Sequence, residues 1–506
     1  MSRHSRASLQ ITENSLFLMA STGVTAALGY CFWILVGREY SPERVGLATS
    51  LINTISLISY LSLFGFNSVL IRHQAAGRAR NRQVTLSLLI SGGGGWALGG
   101  AFLLLLPWIS PKLLFIRENP WYALCFVAFC AFAAVNLLTD SVFMAARLPQ
   151  YNLLVDGFVQ SLSKLAMPIF LVSLGAAGIV ASTGVGFAAA VLASLIAMWV
   201  RLGFRPDFGF GGTRLREHAR YSLASYGSSL LNLLPQLVLP LLALQRLGSG
   251  AEAYYFMAFQ IANMLYTVSH SIGDATFSEA SHDISLLGEC LKRSARLNVA
   301  VLIPAVVVVI LGADLILGLF GQAYADHARG LLTLLAAGAL AVALNNWSSN
   351  ALRVVGRMRP FVVSNLFFAV VSIGMAAALA SRGLLWVGAA WVCGNLICGL
   401  VALAYVPWGG AQSAASPAAD GVDTREAESF GVFEDTVPLV LPWVTADTRR
   451  ISGARAARSA TTAQDTGAVA TAVGTRPGTR LLLGGDMAVR PPIAVPSADE
   501  RSGSSW

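Results

Sequence analysis

The chain has 506 residues, of which 55% are hydrophobic and only 12% are charged, and its mean hydropathy is +0.63. Soluble globular proteins carry about 25% charged residues. This composition therefore excludes an ordinary soluble protein, and long apolar runs predict a protein that crosses a membrane many times. The net charge of +9 is better explained by membrane topology than by nucleic-acid binding.

Apolar runs of about 20 residues, separated by breaks that contain Arg, Pro or Gly, predict twelve spanning helices. The first run follows a basic N-terminus and is too long for a cleaved signal sequence, so we count it as a span. The predicted spans are 15–36, 47–70, 84–106, 121–144, 152–174, 178–200, 220–244, 252–273, 296–319, 328–350, 361–381 and 386–406.

Basic residues in the connections predict the orientation of these spans. The N-terminus and the even-numbered connections carry 18 Lys and Arg, whereas the odd-numbered connections carry seven. Basic connections stay in the cytoplasm, so the sequence predicts a multi-pass protein of a bacterial cytoplasmic membrane, with both termini inside. Residues 408–506 are rich in Ala, Ser, Thr and Gly and predict a disordered cytoplasmic tail.

Twelve spans divide into two halves of six. With a shift of 208 residues, Arg38 aligns with Arg246 and Gly65 with Gly273, each near the second helix of its half. We therefore predict an all-α integral membrane fold with two six-helix lobes, 1–208 and 209–407. Because six is even, both lobes enter the membrane in the same orientation, as in parallel-repeat transporters, and they leave a cavity between them.

Polar residues recur at helical spacing in several spans. Such stripes either form hydrogen bonds between helices or face a water-filled cavity, and for the eighth span we favour the cavity. Histidine at position 270 is expected to be neutral. The stripes are Asn53, Ser56, Tyr60 and Asn67 in the second span; Ser225, Ser229, Asn232 and Gln236 in the seventh; and Gln260, Asn263, Thr267, His270 and Asp274 in the eighth.

The fifth span contains Asp156, Gln160 and Lys164, at positions i, i+4 and i+8. In an α-helix these three share one face. Lys164 is too deep to reach the cytoplasmic surface easily. Two interpretations stay open: Lys164 forms a structural ion pair with Asp156 or Asp140, or it offers positive charge to an anionic substrate in a cavity.

The first helices carry a family resemblance. A basic start precedes the turn GREYSPERVGLATSL, the second span ends in LFGFNSVLIRHQA, and a basic entry to the third span follows. This order resembles the polysaccharide-transporter branch of the multidrug/oligosaccharidyl-lipid/polysaccharide (MOP) exporter superfamily, which contains O-antigen and capsule repeat-unit flippases. The resemblance covers residues 10–406.

The resemblance implies a V-shaped bundle of twelve helices that alternates between inward-open and outward-open states. It implies a lipid-linked substrate, an undecaprenyl-pyrophosphate oligosaccharide, and membrane lipids and other polysaccharide-assembly proteins as partners. On this basis Lys164 and Arg72 are candidates for contacts to the diphosphate. The other candidate substrate-binding residues are Asn53, Asn67, Gln160, Gln260, Asn263 and His270, and the candidate coupling or ion-pair residues are Asp156, Asp140 and Asp274.

Other functions remain alternatives. A multidrug exporter of the same superfamily would favour an acidic, aromatic cavity, whereas the clearest deep charge of this chain is a lysine. A membrane glycosyltransferase or polymerase would need a large outer loop, and the outer connections are short; we expect no enzymatic activity. None of the six cysteines belongs to a CxxC pair, so we expect no metal and no cofactor, and coupling to H⁺ or Na⁺ stays open.

Overall fold

The computed structural model describes residues 26–72, 77–146, 148–209, 215–282 and 287–406. Within these ranges all regular structure is helical, which confirms the predicted fold class. Ten helical segments of the described chain are long and apolar enough to cross a membrane. The predicted tail, 408–506, and the beginning of the first predicted span lie outside the described residues.

Twelve long helical segments of the described chain coincide with the twelve predicted spans, and we number them in chain order. Short helices at Phe66–Arg72, Phe115–Glu118 and Ala313–Gly318 connect some of them. The long segments are α1 (26–39), α2 (Pro42–Ser62), α3 (Gly77–Ile109), α4 (Pro120–Ala145), α5 (149–170), α6 (Ala176–Leu202), α7 (Leu215–Leu247), α8 (Ser249–His282), α9 (Leu287–Leu311), α10 (Gln322–Val354), α11 (Met358–Leu379) and α12 (Leu384–Ala404).

Local sequence signals set several helix ends. Pro42 and Pro120 occupy the first turn of α2 and α4, where the missing N–H costs nothing. The side chain of Asn119 accepts a hydrogen bond from the Trp121 N–H at 2.9 Å and so caps α4. Gly203 ends α6 in the left-handed conformation that glycine adopts without strain.

The second predicted span is not one continuous helix. The chain breaks after α2, with positive φ angles at Phe64 and Gly65, and resumes in the short helix Phe66–Arg72. The stripe from Asn53 to Asn67 assumed one uninterrupted helix, and this part of the prediction is wrong. Asn67 lies beyond the break, where its side chain is buried and accepts from the Ser68 N–H at 2.8 Å.

Helix α5 departs from α-helical spacing. Residues Leu153–Gln160 form a π-helix between two α-helical pieces, and the Ser161 hydroxyl donates to the Asp156 carbonyl at 3.1 Å. A π-helix joins residue i to i+5, so its turns are wider than those of an α-helix. Four residues are then somewhat less than one turn, so Asp156, Gln160 and Lys164 still lie on one side of the segment; a Cβ atom at Gly186 would lie 3.3 Å from both Gln160 Cγ and Lys164 Cβ.

The same packing pattern occurs in both halves of the chain. Helix α4 packs against α2, α3 and α6; in the second half α10 packs in the same way against α8, α9 and α12. The pairs α5–α6 and α11–α12 also correspond. This arrangement is that of two six-helix lobes, which meet along α2 and α8. The residue bounds 1–208 and 209–407 stay a prediction.

Polar contacts between the lobes gather near the α1–α2, α3–α4, α7–α8 and α9–α10 connections. These connections are the odd-numbered ones, which the basic residues predict to be outside the cell. The contacts are Arg38 Nε to the Leu319 carbonyl at 2.9 Å, Thr49 Oγ1 to Glu252 Oε2 at 2.5 Å and Lys112 Nζ to the Leu244 carbonyl at 2.8 Å. A further contact between the lobes, Tyr30 Oη to the Gln260 carbonyl at 2.8 Å, lies nearer the middle of α1 and α8.

The glycine-rich run in α3 packs directly on the backbone of α4. A Cβ atom at Gly95 would lie 2.8 Å from the Cys130 carbonyl oxygen and 2.9 Å from the Ala131 Cα atom. At Gly93, two residues earlier, a Cβ atom would meet nothing within 4 Å. Small residues allow helices to approach closely in membranes, so this run serves helix packing.

We expect Gly95→Ala to destabilise the protein by about 1–3 kcal/mol, because the new methyl group overlaps backbone atoms that cannot move aside. Gly93→Ala is the matched control, and we expect it to be neutral or to stabilise by up to about 1 kcal/mol through helix propensity. Thermal unfolding of both variants in detergent micelles measures the difference. Equal melting temperatures would contradict the packing role of Gly95.

Candidate functional site

A cavity of about 330 Å³ lies between the lobes. Its lining comes from α1 and α2 of the first lobe and from α7, α8, α10, α11 and α12 of the second. Aromatic side chains form part of the wall, among them Trp33, Phe256 and Trp391. The volume is at the lower end of the range for small-molecule sites, so the cavity accommodates part of a large substrate rather than all of it.

Primary amides dominate the polar lining. Some of them are held in place by other polar groups: Asn345 donates to Asn395 Oδ1 at 3.0 Å, and Asn346 donates to the Ser269 carbonyl at 3.0 Å. An amide offers both donors and acceptors, and hydroxyl groups of a ligand can use either. The eight lining amides are Asn53, Asn232, Gln236, Gln260, Asn263, Asn345, Asn346 and Asn395.

Arg353 supplies positive charge to the cavity. It lies near the C-terminal end of α10, its guanidinium is 4.7 Å from the centre of the Phe361 ring, and its Nη1 is 3.4 Å from Asn350 Oδ1. The Arg353 Nε, like Asn53 Nδ2 on the opposite lobe, is buried and has no hydrogen-bond partner in the described part of the chain. Both groups are therefore donors that a ligand can use.

The predicted spans place Arg353 in a cytoplasmic connection, whereas in the structure it lines the cavity. A signal was present: Asn345, Ser349 and Arg353 follow one another at i, i+4 and i+8, as in the other polar stripes. All three line the cavity. Because the tenth span was predicted to end at residue 350, the stripe was cut before its charged member.

No Asp or Glu lines the cavity among the residues that the structure describes. Its polar lining in that part of the chain consists of neutral side chains, His270 and the guanidinium of Arg353. Such a lining offers no carboxylate to pair with a positively charged ligand and one cation to pair with a negatively charged ligand.

Four of the predicted site residues line the cavity: Asn53, Gln260, Asn263 and His270. The structure describes the helical backbone at Arg72 and Asp274 but not their side chains. The remaining predicted residues lie within the first lobe and outside the cavity lining, and a role for any of them in transport stays a prediction. They are Asn67, Asp140, Asp156, Gln160 and Lys164.

The residues that α5 contributes belong to a polar cluster inside the first lobe. Asn136 of α4 donates to Asp156 Oδ1 at 3.0 Å, and Asp156 interacts electrostatically with Lys164. The Lys164 ammonium lies 5.4 Å from the centre of the Phe32 ring, within the distance of a cation–π contact. These contacts fit the structural interpretation of Lys164 in this conformation and do not exclude the other.

Comparison with known proteins gives a family match. The sequence matches the model of the family "Polysaccharide biosynthesis protein" over residues 11–277, and the MatE family model over residues 227–377. The first match spans more than half of the 506 residues. No curated protein matches the sequence.

Solved structures share the fold at low sequence identity. A multidrug resistance MATE family transporter of the MOP superfamily, in an inward-facing conformation, has a TM-score of 0.58 and 16% identity over 75% of this chain and 93% of its own. The lipid II flippase MurJ, in an inward closed conformation, has a TM-score of 0.62 and 12% identity over 77% and 87%. A MOP superfamily transporter from Pyrococcus furiosus has a TM-score of 0.51 and 16% identity over 77% and 93%. These likenesses establish the two-lobe transporter fold.

We expect Asn263→Cys to react rapidly with a charged, water-soluble methanethiosulfonate reagent, because this position lines the cavity. Asn67→Cys is the matched control: the Asn67 side chain is 1% exposed and should be protected. Both cysteines are placed in a background without the exposed Cys31 and Cys125, and modification is followed by intact mass. Equal protection at both positions would mean that water does not reach the cavity.

Proposed function

Because the chain belongs to the polysaccharide biosynthesis protein family, we propose that it is a flippase for a lipid-linked oligosaccharide. It would move the saccharide across the bacterial cytoplasmic membrane for the assembly of a surface polysaccharide. The lipid would remain in the bilayer while the sugars pass between the lobes. We infer a transport step without chemical conversion of the substrate.

The observation that carries this proposal is the polar lining of the cavity: eight amides, and no carboxylate among the described residues. Sugars present many hydroxyl groups, and amides can donate to them and accept from them. The aromatic walls add apolar surface for the faces of the sugar rings. A hydroxyl-rich substrate therefore matches this lining better than an apolar one.

Arg353 is the candidate contact for the phosphate groups of the lipid carrier. Arginine binds phosphate through charge-assisted hydrogen bonds in a fixed planar geometry. Its Nε is buried without a partner in the described structure, so binding an anion would satisfy a donor that is otherwise left unpaired. In our proposal Arg353 takes the role that the sequence analysis gave to Lys164 and Arg72, which remain candidates.

Alternating access follows from where the lobes touch. The polar links between the lobes lie at the end that the basic connections predict to be outside, and Arg353 lies toward the opposite, cytoplasmic end of α10. We infer that this conformation is closed outside and loads its substrate from the cytoplasm. Breaking the outer links and closing the inner end would then deliver the saccharide to the outer leaflet.

Export of cationic drugs is the second candidate function, because the second lobe matches the MatE family model and the fold is that of MATE transporters. An organic cation, however, gains little from a cavity whose one charged side chain among the described residues is an arginine. We therefore rank lipid-linked oligosaccharide above organic cation.

We expect Arg353→Gln to lower flipping of a diphosphate-linked oligosaccharide at least about tenfold, since it removes a charged contact worth about 1.4 kcal/mol or more. Arg359→Gln is the matched control, because Arg359 is exposed in the first turn of α11, six residues after Arg353, and is not in the cavity lining. The assay follows a fluorescent lipid-linked oligosaccharide in proteoliposomes, with quenching from outside. Unchanged flipping by Arg353→Gln would contradict the proposal. Transport of organic cations by the unaltered protein in the same proteoliposomes would also contradict it.

Lys164→Ala tests the cluster inside the first lobe. If Lys164 contributes charge to the transport path, this variant loses glycan export while protein abundance stays normal. If Lys164 only balances Asp156, the single change leaves a buried unpaired charge, and the double variant Lys164→Ala, Asp156→Ala restores export. Export and membrane abundance are measured together in cells that lack the native protein; normal export by the single variant removes Lys164 from the mechanism.

A further inference from the structure

One carboxyl group lies buried where the two lobes meet and is not part of the cavity. Glu252, in the first turn of α8, is 0% exposed. Its Oε2 atom is 2.5 Å from Oγ1 of Thr49, which belongs to α2 of the other lobe. A fully buried acid is rare unless it is paired or carries a function.

The two helices are closest at this point. A Cβ atom at Gly46 would lie 1.8 Å from the Ser249 carbonyl oxygen, so only glycine allows this approach. Thr49 and Glu252 follow Gly46 and Ser249 by three residues on their helices, about one turn away. Any separation of the lobes at this end must therefore break the Thr49–Glu252 hydrogen bond and expose the carboxyl group to water.

The hydrogen atoms available at this contact favour a neutral acid. The Thr49 hydroxyl has one hydrogen, and the Val45 carbonyl, which can only accept, lies 2.8 Å from Oγ1. When the threonine donates to Val45, the hydrogen between Thr49 and Glu252 must come from the carboxyl group. Glu252 Oε1 and the Ser50 Oγ beside it make no hydrogen bond of good geometry within the described chain.

The groups around Glu252 also lack a countercharge. Thr49 and Ser50 of α2 lie beside it, and Tyr255 of its own helix and Tyr324 of α10 interact with it electrostatically. Farther out, Glu43 of α2 and Asp326 of α10 interact with Tyr254, on which the His327 ring stacks at 4.9 Å. No lysine or arginine of the described chain is among the groups that interact with the carboxyl. An ionised carboxylate sealed in this place would be strongly destabilising.

We propose that Glu252 is a proton-binding site, separate from the substrate cavity, that controls the outer end of the lobe interface. The neutral acid holds that end closed by hydrogen-bonding to Thr49. When the interface opens, the proton passes to water and the carboxylate is hydrated. The closed state thus binds one proton more than the open state, so acid favours the closed interface and rising pH favours the open one.

This proposal rests on the proposed flippase, because it assumes that the outer end of the lobe interface opens during transport. It adds a proton-dependent step to that opening. Its test needs no substrate. Spin labels are attached at Glu39→Cys and Arg246→Cys, two exposed positions on the α1–α2 and α7–α8 connections of the two lobes. The exposed Cys31 and Cys125 and the half-buried Cys393 are replaced by alanine. Double electron–electron resonance in lipid nanodiscs then measures the distance between the labels as a function of pH.

We expect a short distance in acidic buffer and a growing population of longer distances as pH rises, with a change of up to about tenfold in the open-to-closed ratio for each pH unit. Glu252→Gln mimics the neutral acid and should keep the short distance, with a ratio that changes less than about twofold over the same range. Glu43→Gln, an exposed acid on α2, is the matched control and should respond to pH like the unaltered protein.

The proposal is overturned if the Glu252→Gln variant still opens as the pH rises. It is also overturned if the label distance in the unaltered protein does not respond to pH. Opening that follows Na⁺ at constant pH also overturns it, in favour of a sodium site. Should Glu252→Gln fail to fold, Thr49→Val provides the test, because it removes the hydrogen-bond partner of the acid. The pH at which the short label distance gives way to the long one should then be lower than in the unaltered protein. An unchanged transition pH overturns the proposal. A normal pH response together with absent oligosaccharide flipping would refute the proposed substrate and leave the proton site standing.

Discussion

The free-energy cost of placing polar groups against lipid determines where polar side chains lie in this protein. A polar side chain in the hydrocarbon region costs several kcal/mol unless protein or water satisfies it. Three groups of described polar side chains lie in such protected places: the cavity between the lobes, the cluster around Asp156 inside the first lobe, and the contact of Thr49 with Glu252. The outward surfaces are apolar, with exposed Leu, Ile, Val, Phe and Trp side chains.

These three places have different chemistry, and the difference suggests a division of tasks. The cavity is lined by amides and one arginine, which suit a hydroxylated and anionic ligand. The Glu252 contact contains hydroxyls and an acid in a fully buried interface, which suit a proton. A transporter with such an arrangement can bind its substrate at one site and control access at another, and α2 and α8 contribute residues to both places.

Close backbone packing joins α2 and α8 at one end of this interface. At Gly46 the helices of the two lobes touch through backbone atoms, whereas near the cavity the same helices diverge and present side chains such as Asn53 and Gln260. Packed interfaces of this kind have a few discrete arrangements rather than a continuum. The outer α2–α8 contact can therefore switch between a closed and an open arrangement, and the rigid packing of α3 on α4 within a lobe keeps each lobe intact during that motion.

Much of the fold could be read from the chain alone. Apolar runs of membrane length predicted the helices, and the match of twelve predicted spans with twelve helical segments follows from the fact that lipid leaves the backbone few alternatives to a helix. The polar stripes of the seventh and eighth spans predicted Asn232, Gln236, Gln260 and Asn263 as candidates for an inward face, because 3.6-residue periodicity survives wherever the helix is regular.

Tertiary structure decided the rest, because it depends on irregular backbone and on partners distant in sequence. The break at Phe64 moved Asn67 out of its stripe. No spacing rule relates Glu252 to Thr49, 203 residues earlier, or shows which helices of the other lobe face Arg353 across the cavity. Those relationships arise only when two lobes dock, since a side chain's surroundings then come from helices that local periodicity cannot bring together.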